Sequence, residues 1–509
     1  MKFISVFNDV LGPVMRGPSS SHTAGAYRIG RMVRDLLAED PVAIRVSFDP
    51  GGSMAPTYRP LGVDLAFTAG VMGWSMLDGR YIEALDLAQK GGVAIDFQIA
   101  PLEHTDHPNG MLIEIESARG RQLRVVAEAV GGGDVRLVRL QDWKVDLDGR
   151  SHEVLVEIDA ETGAGVVDLL SDPSRQVAGS SVLLSARSET SLSLESVTSL
   201  RKKPGVTNVW GVSPVFFVRK GETTFSSAAG MVAAAGEGGL SLGGLTRASE
   251  AELLGMSEDE VVNEMLRRYE IMERSIAAGL DDDLTDMLLL HPTASRVLEA
   301  ERGGRVAIGG IHTRAAARAL AVMHCCNSRG VICAAPTGGS AGTLPGVVVS
   351  LVEELDLSRE RVALALFAAS AVGLIVARRA TFAAEIAGCQ VEIGVSGAMA
   401  AAAVVEAVGG TALQAADAAA ISLQNTMGSP CDPVAGACEV PCHTRNAVAA
   451  SSAFTCADLI LGGYANPIPL DETIDASYEV GKTLPSELRC TARGGCATAP
   501  SALGLPHLR

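Results

Sequence analysis

Three cysteines stand where glycine and proline hold the backbone open: Cys389 in GCQVEIG, Cys431 in GSPCDPVAG and Cys442 in EVPCHTRN. They are 42 and 11 residues apart, and no C-x-x-C pair occurs anywhere in the chain. Structural zinc favours closely spaced pairs. An iron–sulfur cluster accepts thiolates from distant loops. Taken alone, the three cysteines fit either a metal site or a set of buried, inert thiols. A cluster held by three thiolates leaves one iron without a protein ligand. That position can act as a Lewis acid and turn a hydroxyl into a leaving group. The other seven cysteines also lie in the C-terminal part, from Cys325 onward, where a vicinal pair (Cys325, Cys326) sits in a helical pattern.

Polar loops supply the other chemistry. Ser19, Ser20, Ser21, His22 and Thr23 precede a helix expected to begin near Ala24. Such a loop offers hydroxyls and backbone N–H groups to a carboxylate, and His22 can shuttle a proton. A second loop, Pro336 to Gly346, combines Thr337, Gly338, Gly339 and Ser340. It is no P-loop, because no lysine follows the glycines. His107-Pro108-Asn109-Gly110 reads as a turn before a strand, with His104 nearby. Arg445-Asn446 follows Cys442 and can clamp a carboxylate or join an internal ion pair.

The elements that must position these loops are mixed. Strands are expected at Ala43–Phe48, Met111–Glu116 and Leu123–Val130, the last running into Gly131-Gly132-Gly133. A small β-α-β-β-α-β unit follows: His152–Ile158, Gly165–Leu170, Val177–Arg187, Ser196–Lys203 and a strand pair in Val206–Val218. Residues 225–248, rich in Gly, Ala and Ser, read as linker. Ser257 with Glu260 forms a capping box and opens a helix. Helices then dominate, and Asp281-Asp282-Asp283 reads as a solvated loop. The apolar run Val362–Ala377 is short of the ~20 residues that span a bilayer and reads as a buried helix.

The 509 residues carry a formal net charge of −17. That excludes a basic surface for nucleic acid, and no membrane association is expected. The start, MKFISVFNDVLGP, reads as no signal peptide, so a cytoplasmic location with reduced thiols is expected.

Together, GPSSSHTAGAYRIGR, APTGGSAGTLPG, GCQVEIGVSGAMAAA, CDPVAGACEVPCHTRN and LPSELRCTARGGCATAPSA resemble the iron–sulfur-dependent bacterial L-serine dehydratases (L-serine deaminases). The resemblance runs from about residue 3 to residue 500, with the family's β and α portions fused. It implies a multidomain α/β plus all-α fold. Residues 1–145 would form a β-like α+β domain, 146–222 a small ACT-like or regulatory α+β domain, and 223–509 an α-like helical catalytic domain.

The same resemblance implies a 4Fe–4S cluster on Cys389, Cys431 and Cys442, with one open iron. It implies His22 and Ser21 as catalytic residues. Ser19, Ser20, Thr23, His107, Asn109, Thr337, Gly338, Gly339, Ser340, Arg445 and Asn446 would bind substrate. Serine would lose its α-proton and β-hydroxyl and yield pyruvate and ammonia, a step in amino acid metabolism that feeds gluconeogenesis. His107 and His443 are alternative bases. Pyridoxal phosphate is not expected, since none of the chain's seven lysines lies in the glycine-rich loops. Cys490 or Cys496 in the tail can cap the open iron, and a homodimer is the expected assembly. The chain departs from the family at Pro430, at Gly338 and at His324-Cys325-Cys326-Asn327. Those departures touch substrate choice, so another β-hydroxy amino acid such as threonine is an alternative. A non-catalytic iron or redox sensor and a zinc or metal-free enzyme are the others.

Overall fold

The computed structural model describes residues 4–162, 164–188, 190 and 194–505. The chain forms two compact units. One comprises Gly25–Val130 and Asp134–Val218; the other comprises Met1–Ala24, Gly131–Gly133 and Arg219–Arg509.

The first unit holds two sheets. The larger has six strands in the spatial order Ala94–Ile99, Pro41–Phe48, Gly110–Ser117, Gln122–Gly131, Asp134–Leu140, Trp143–Leu147. The expected strands at Ala43–Phe48, Met111–Glu116 and Leu123–Val130 lie within it. Pro41–Phe48 runs parallel to Ala94–Ile99 and antiparallel to Gly110–Ser117. The parallel pair needs a long crossover, and the helices Val63–Val71 and Ala84–Lys90 lie within it. Val63–Val71 packs against Gly25–Leu37 at closest range. A Cβ on Gly30 would stand 2.5 Å from Phe67 O, and one on Gly70 would stand 2.2 Å from Tyr27 O. Only glycine allows that approach.

The smaller sheet has the order Val206–Val212, His152–Asp159, Ser181–Ser188, Ser174–Ala178, all antiparallel. A short 3₁₀ segment, Ala164–Leu169, and a helix, Leu194–Arg201, complete the β-α-β-β-α-β succession. Two details differ from expectation. Gly179, at φ 60°, breaks the run Val177–Arg187 into a hairpin. The run Val206–Val218 gives one strand, ending at Val212, because Pro214 supplies no N–H to a ladder.

The second unit is helical. Its core centres on the alanine-rich helices Arg359–Arg379 and Ile393–Ala407. Two segments, Arg359–Arg379 and Cys389–Ala407, are long and apolar enough to cross a bilayer, yet 78% and 94% of their most apolar windows are buried inside the fold. The capping box at Ser257 forms as expected and opens Glu258–Gly279. Residues 225–248 are not a linker. Ser227 accepts from Gly230 N and opens Ala228–Gly238; Ser241 accepts from Gly244 N and opens Leu242–Leu254. Gly239 and Gly255, both left-handed, close those helices. The small residues serve packing: a Cβ on Gly243 would stand 2.3 Å from Leu364 O.

Residues 4–24 fold with this helical unit, which divides the segment 1–145 read as one piece from sequence. Val6 and Phe7 N–H groups donate to the buried Glu250 carboxylate at 3.0 and 3.3 Å. The Arg268 guanidinium donates to Phe7 O at 3.1 Å and covers the Phe7 ring. Val14–Arg16 then pairs antiparallel with Val331–Cys333. This two-stranded ribbon positions the site.

Candidate functional site

The ribbon delivers two loops to one place. Gly17 N–H donates to Gly330 O at 3.1 Å, and Ala334 N–H donates to Pro13 O at 3.1 Å. Beyond these bonds the chain enters the Ser19–Thr23 loop on one strand and the Thr337–Ser340 loop on the other. Gly17 must be glycine, since its Cβ would overlap Cys326 O at 2.0 Å. Gly338 N–H reaches Ser20 Oγ at 3.4 Å, and a Cβ there would stand 2.9 Å from Pro18 O. The departure noted at Gly338 therefore lets the two loops touch.

The first loop is a wide π-type turn over Ser20–Ala24, a feature frequent at functional sites. Thr23 N–H donates to Ser19 O at 2.8 Å, and Ser19 N–H donates to Thr23 Oγ1 at 3.3 Å. Ser19 Oγ lies 3.2 Å from His22 Nδ1 and accepts from His22 N–H at 3.2 Å. Burial pushes the His22 imidazole down to about 4. Ser19 and Ser21 are partly exposed while Ser20, His22 and Thr23 are buried.

The three cysteine loops meet around Arg445. Gly388, at φ 74°, turns the chain into Cys389, whose N–H donates to Ser429 O at 2.9 Å. Arg445 Nη1 donates to Pro430 O and to Asp432 Oδ1, both at 2.8 Å, and so brackets Cys431. Cys442 opens the helix Cys442–Leu461, one turn before Arg445. All three thiols are buried. The Cys431 thiol hydrogen-bonds to Cys389 and, together with the Arg445 cation, holds Cys389 below the ordinary thiol range. The same bond, a second with Cys490 and burial push Cys431 well above it. Cys438 hydrogen-bonds with Cys442 and is pushed well above that range by the bond and by burial.

This donor set suits a cluster of iron and sulfide: three buried thiols, one cation to offset negative charge, and thiols carried by a loop or by the first residue of a helix. Among the described residues, no three His, Cys, Asp or Glu side chains close on a single ion. The fit therefore rests on donor chemistry.

Several expected ligand residues have other work. Ser340 is wholly buried, and its hydroxyl donates to Ala335 O at 3.1 Å. Asn446 accepts from Gly342 and Thr343 N–H groups, both at 3.1 Å, and donates to Gly339 O and Cys442 O. Both residues brace the glycine loop. Arg445 forms an internal ion pair with Asp432. His443 packs beside His324 with its Nε2 accepting from Asn327 at 2.9 Å, and burial pushes it to about 3. His107 and Asn109 belong to the other unit. There His107 Nδ1 accepts from Asn109 N–H at 3.1 Å, and Asn109 Nδ2 donates to Ala129 O at 3.2 Å. The tail segment is tied to the second cysteine loop. Cys431 N–H donates to Leu488 O, Cys490 N–H to Cys431 O and Cys496 N–H to Asp432 Oδ2, at 2.8, 2.7 and 2.7 Å.

Two acidic residues escaped the sequence reading. Glu439 accepts from the N–H groups of Leu288, Leu289 and Leu290 at 2.6, 2.9 and 2.8 Å. It anchors the segment that carries Cys442. Glu439→Gln leaves at least one of these buried donors without an anionic acceptor, so it is expected to lower stability by about 2–3 kcal/mol. Urea unfolding measures this, and an unchanged midpoint would refute the clamp. Glu392 lies three residues after Cys389, inside the motif that drew attention to the cysteine, and turns its carboxyl to the Thr337 hydroxyl. Burial is the main reason that it is held well above the usual carboxylate range.

The family described as serine dehydratase alpha chain matches residues 217–497. The probable L-serine dehydratase alpha chain of Bacillus subtilis (strain 168) is 40% identical over 50% of this chain and 85% of its own length. The probable L-serine dehydratase beta chain of the same organism is 39% identical over 33% of this chain and 76% of its own length. L-serine dehydratase TdcG of Escherichia coli (strain K12) is 27% identical over 94% of this chain and 96% of its own.

Proposed function

The chain belongs to the serine dehydratase alpha chain family, and from that premise we propose that it is an L-serine ammonia-lyase with β-like and α-like portions fused in one chain. One observation supports this reading above the others. The hydroxyl-rich Ser19–Thr23 loop touches the Thr337–Ser340 loop, and Thr337 in turn meets Glu392, in the same turn as Cys389. These contacts support a reading in which the hydroxyl-rich loop, a neutral imidazole and the cysteine loops act together.

Cys389, Cys431 and Cys442 would hold a 4Fe–4S cluster. Such a cluster, when bound, supplies a Lewis acid that eases departure of the β-hydroxyl. The protein does the rest. The Ser19, Ser20 and Thr23 hydroxyls take the substrate carboxylate. With Nδ1 protonated toward Ser19 Oγ, His22 Nε2 accepts the α-proton. Loss of that proton and of the β-hydroxyl gives aminoacrylate, which tautomerises and adds water to yield pyruvate and ammonia. Atoms balance, since the water lost is regained on hydrolysis. The reading includes a cytoplasmic setting, where ten free thiols persist, and a homodimer.

Anaerobic purification, an iron and sulfide assay, and L-serine turnover followed as pyruvate test the proposal. Pyruvate with about four iron and four sulfide per chain is expected for such a cluster. A loaded protein that ignores L-serine but releases a 2-oxo acid from L-threonine would redirect the substrate. A loaded protein inert to both would favour a sensor.

A further inference from the structure

We propose that the Glu392 carboxylate binds the α-ammonium group of the amino acid substrate; this rests on the dehydratase reading above. Glu392 is the N-cap residue of Ile393–Ala407, yet its side chain makes no bond to its own helix. Aspartate at that position caps a helix with its side chain, and the helix dipole favours any acidic residue there. Here the carboxyl lies on the side of Thr337, with Oε1 and Thr337 Oγ1 each 3.8 Å from the point where a Cβ on Gly339 would stand. Cys438 Sγ lies 3.4 Å from that point. Gly339, Glu392 and Cys438 are the partly exposed members of a group whose neighbours Thr337, Gly338, Cys389 and Cys442 are buried. These three are the members of the group that reach solvent.

The charge balance around Glu392 lacks a cation. Beyond Thr337, the groups that act on the Glu392 carboxyl are Cys389 and Glu385, both acidic. No ion pair joins it to Lys or Arg among the described residues. Comparable carboxylates in this unit are satisfied from within. Glu439 accepts three N–H groups and Glu250 accepts two. Asp432 has Arg445 and the Cys496 N–H. Glu392 has one hydroxyl, which leaves acceptor capacity for about three more donors, the number an ammonium supplies. A half-buried carboxylate whose charged neighbours are acidic favours a cation from outside. With the carboxylate at the Ser19–Thr23 loop and the β-hydroxyl toward the thiols, Glu392 gives the third point that distinguishes an L from a D amino acid.

The test compares wild type with Glu392→Gln and Glu392→Asp, all loaded anaerobically. L-serine KM and kcat are measured beside the Ki of 3-hydroxypropanoate, which keeps the carboxylate and the β-hydroxyl but has no ammonium. Glu392→Gln is expected to raise KM for L-serine about 100-fold while that Ki moves less than about threefold and the visible absorbance of the loaded protein stays unchanged. Glu392→Asp is expected to restore part of the KM. Equal losses for both ligands would overturn the assignment in favour of a structural role. A fall in kcat at unchanged KM would overturn it in favour of proton transfer. If Glu392→Gln fails to fold or load, the Glu392→Asp ratio of KM to Ki decides: a rise supports the assignment and an unchanged ratio overturns it. A wild-type protein without turnover would strike the dehydratase reading itself, and this assignment with it.

Discussion

Alanine at Cys389, Cys431 or Cys442 is expected to abolish iron–sulfur absorbance and to cut serine turnover by well over 100-fold, while Cys456→Ala leaves both intact. Loss of an outer partner of a metal ligand already costs about 10–100-fold, and a ligand itself matters more. The three sites differ from Cys456 in surroundings. Cys389 and Cys431 share a thiol hydrogen bond and Cys442 opens a helix beside Arg445, the residue that brackets Cys431. Cys456 sits in the apolar core of the helical unit, where burial pushes its thiol up to about 11. Iron analysis and absorbance on the four variants decide the matter. A cluster that survives loss of any one of the three removes that residue from the ligand set.

His22→Ala is expected to lower kcat by about 10²–10⁴-fold, the usual contribution of a positioned acid–base group, with the cluster retained. Burial pushes His22 to about 4, so at neutral pH the imidazole is uncharged and able to accept a proton. The acid limb of kcat/KM should fall as pH drops through about 4, rather than through 6.5. Linkage gives a second, independent sign. The folded value lies below the unfolded one, so the contribution to stability is complete above about 6.5 and is lost as pH falls toward 4. It amounts to roughly 3 kcal/mol, from 1.36 kcal/mol per unit. His22→Ala should flatten that part of the stability profile. A variant that loses the cluster along with turnover would make His22 structural instead.

Local signals were legible where one residue type has one physical use. Ser257 and Glu260 cap a helix because each satisfies the other's orphan donor. The alternation of Met111–Glu116 became a strand with one face buried. The glycine- and proline-flanked cysteines were visible for the same reason: such flanks leave a thiol in a loop or at the start of a helix. Composition misled at 225–248, where glycine and alanine suggested a linker. Their smallness serves helix packing there, and the serine caps were the better signal. Asn446 and Ser340 look like ligand residues in one dimension. Only the fold shows that Asn446 holds backbone groups 104 and 103 residues away, and that Ser340 bonds to Ala335 O within its own loop. Glu392 was in plain sight within GCQVEIG, but its lack of a countercharge is a property of three-dimensional surroundings.

The ribbon between Val14–Arg16 and Val331–Cys333 joins segments more than three hundred residues apart. During synthesis at about 5–20 residues per second, the first strand waits roughly 15–60 s for its partner to be made. Throughout that interval the Ser19–Thr23 loop has no glycine loop to rest on. The reaction surface is therefore assembled late in the life of the nascent chain, and a ribosome that stalls before residue 331 leaves an unpaired edge that chaperones must shield.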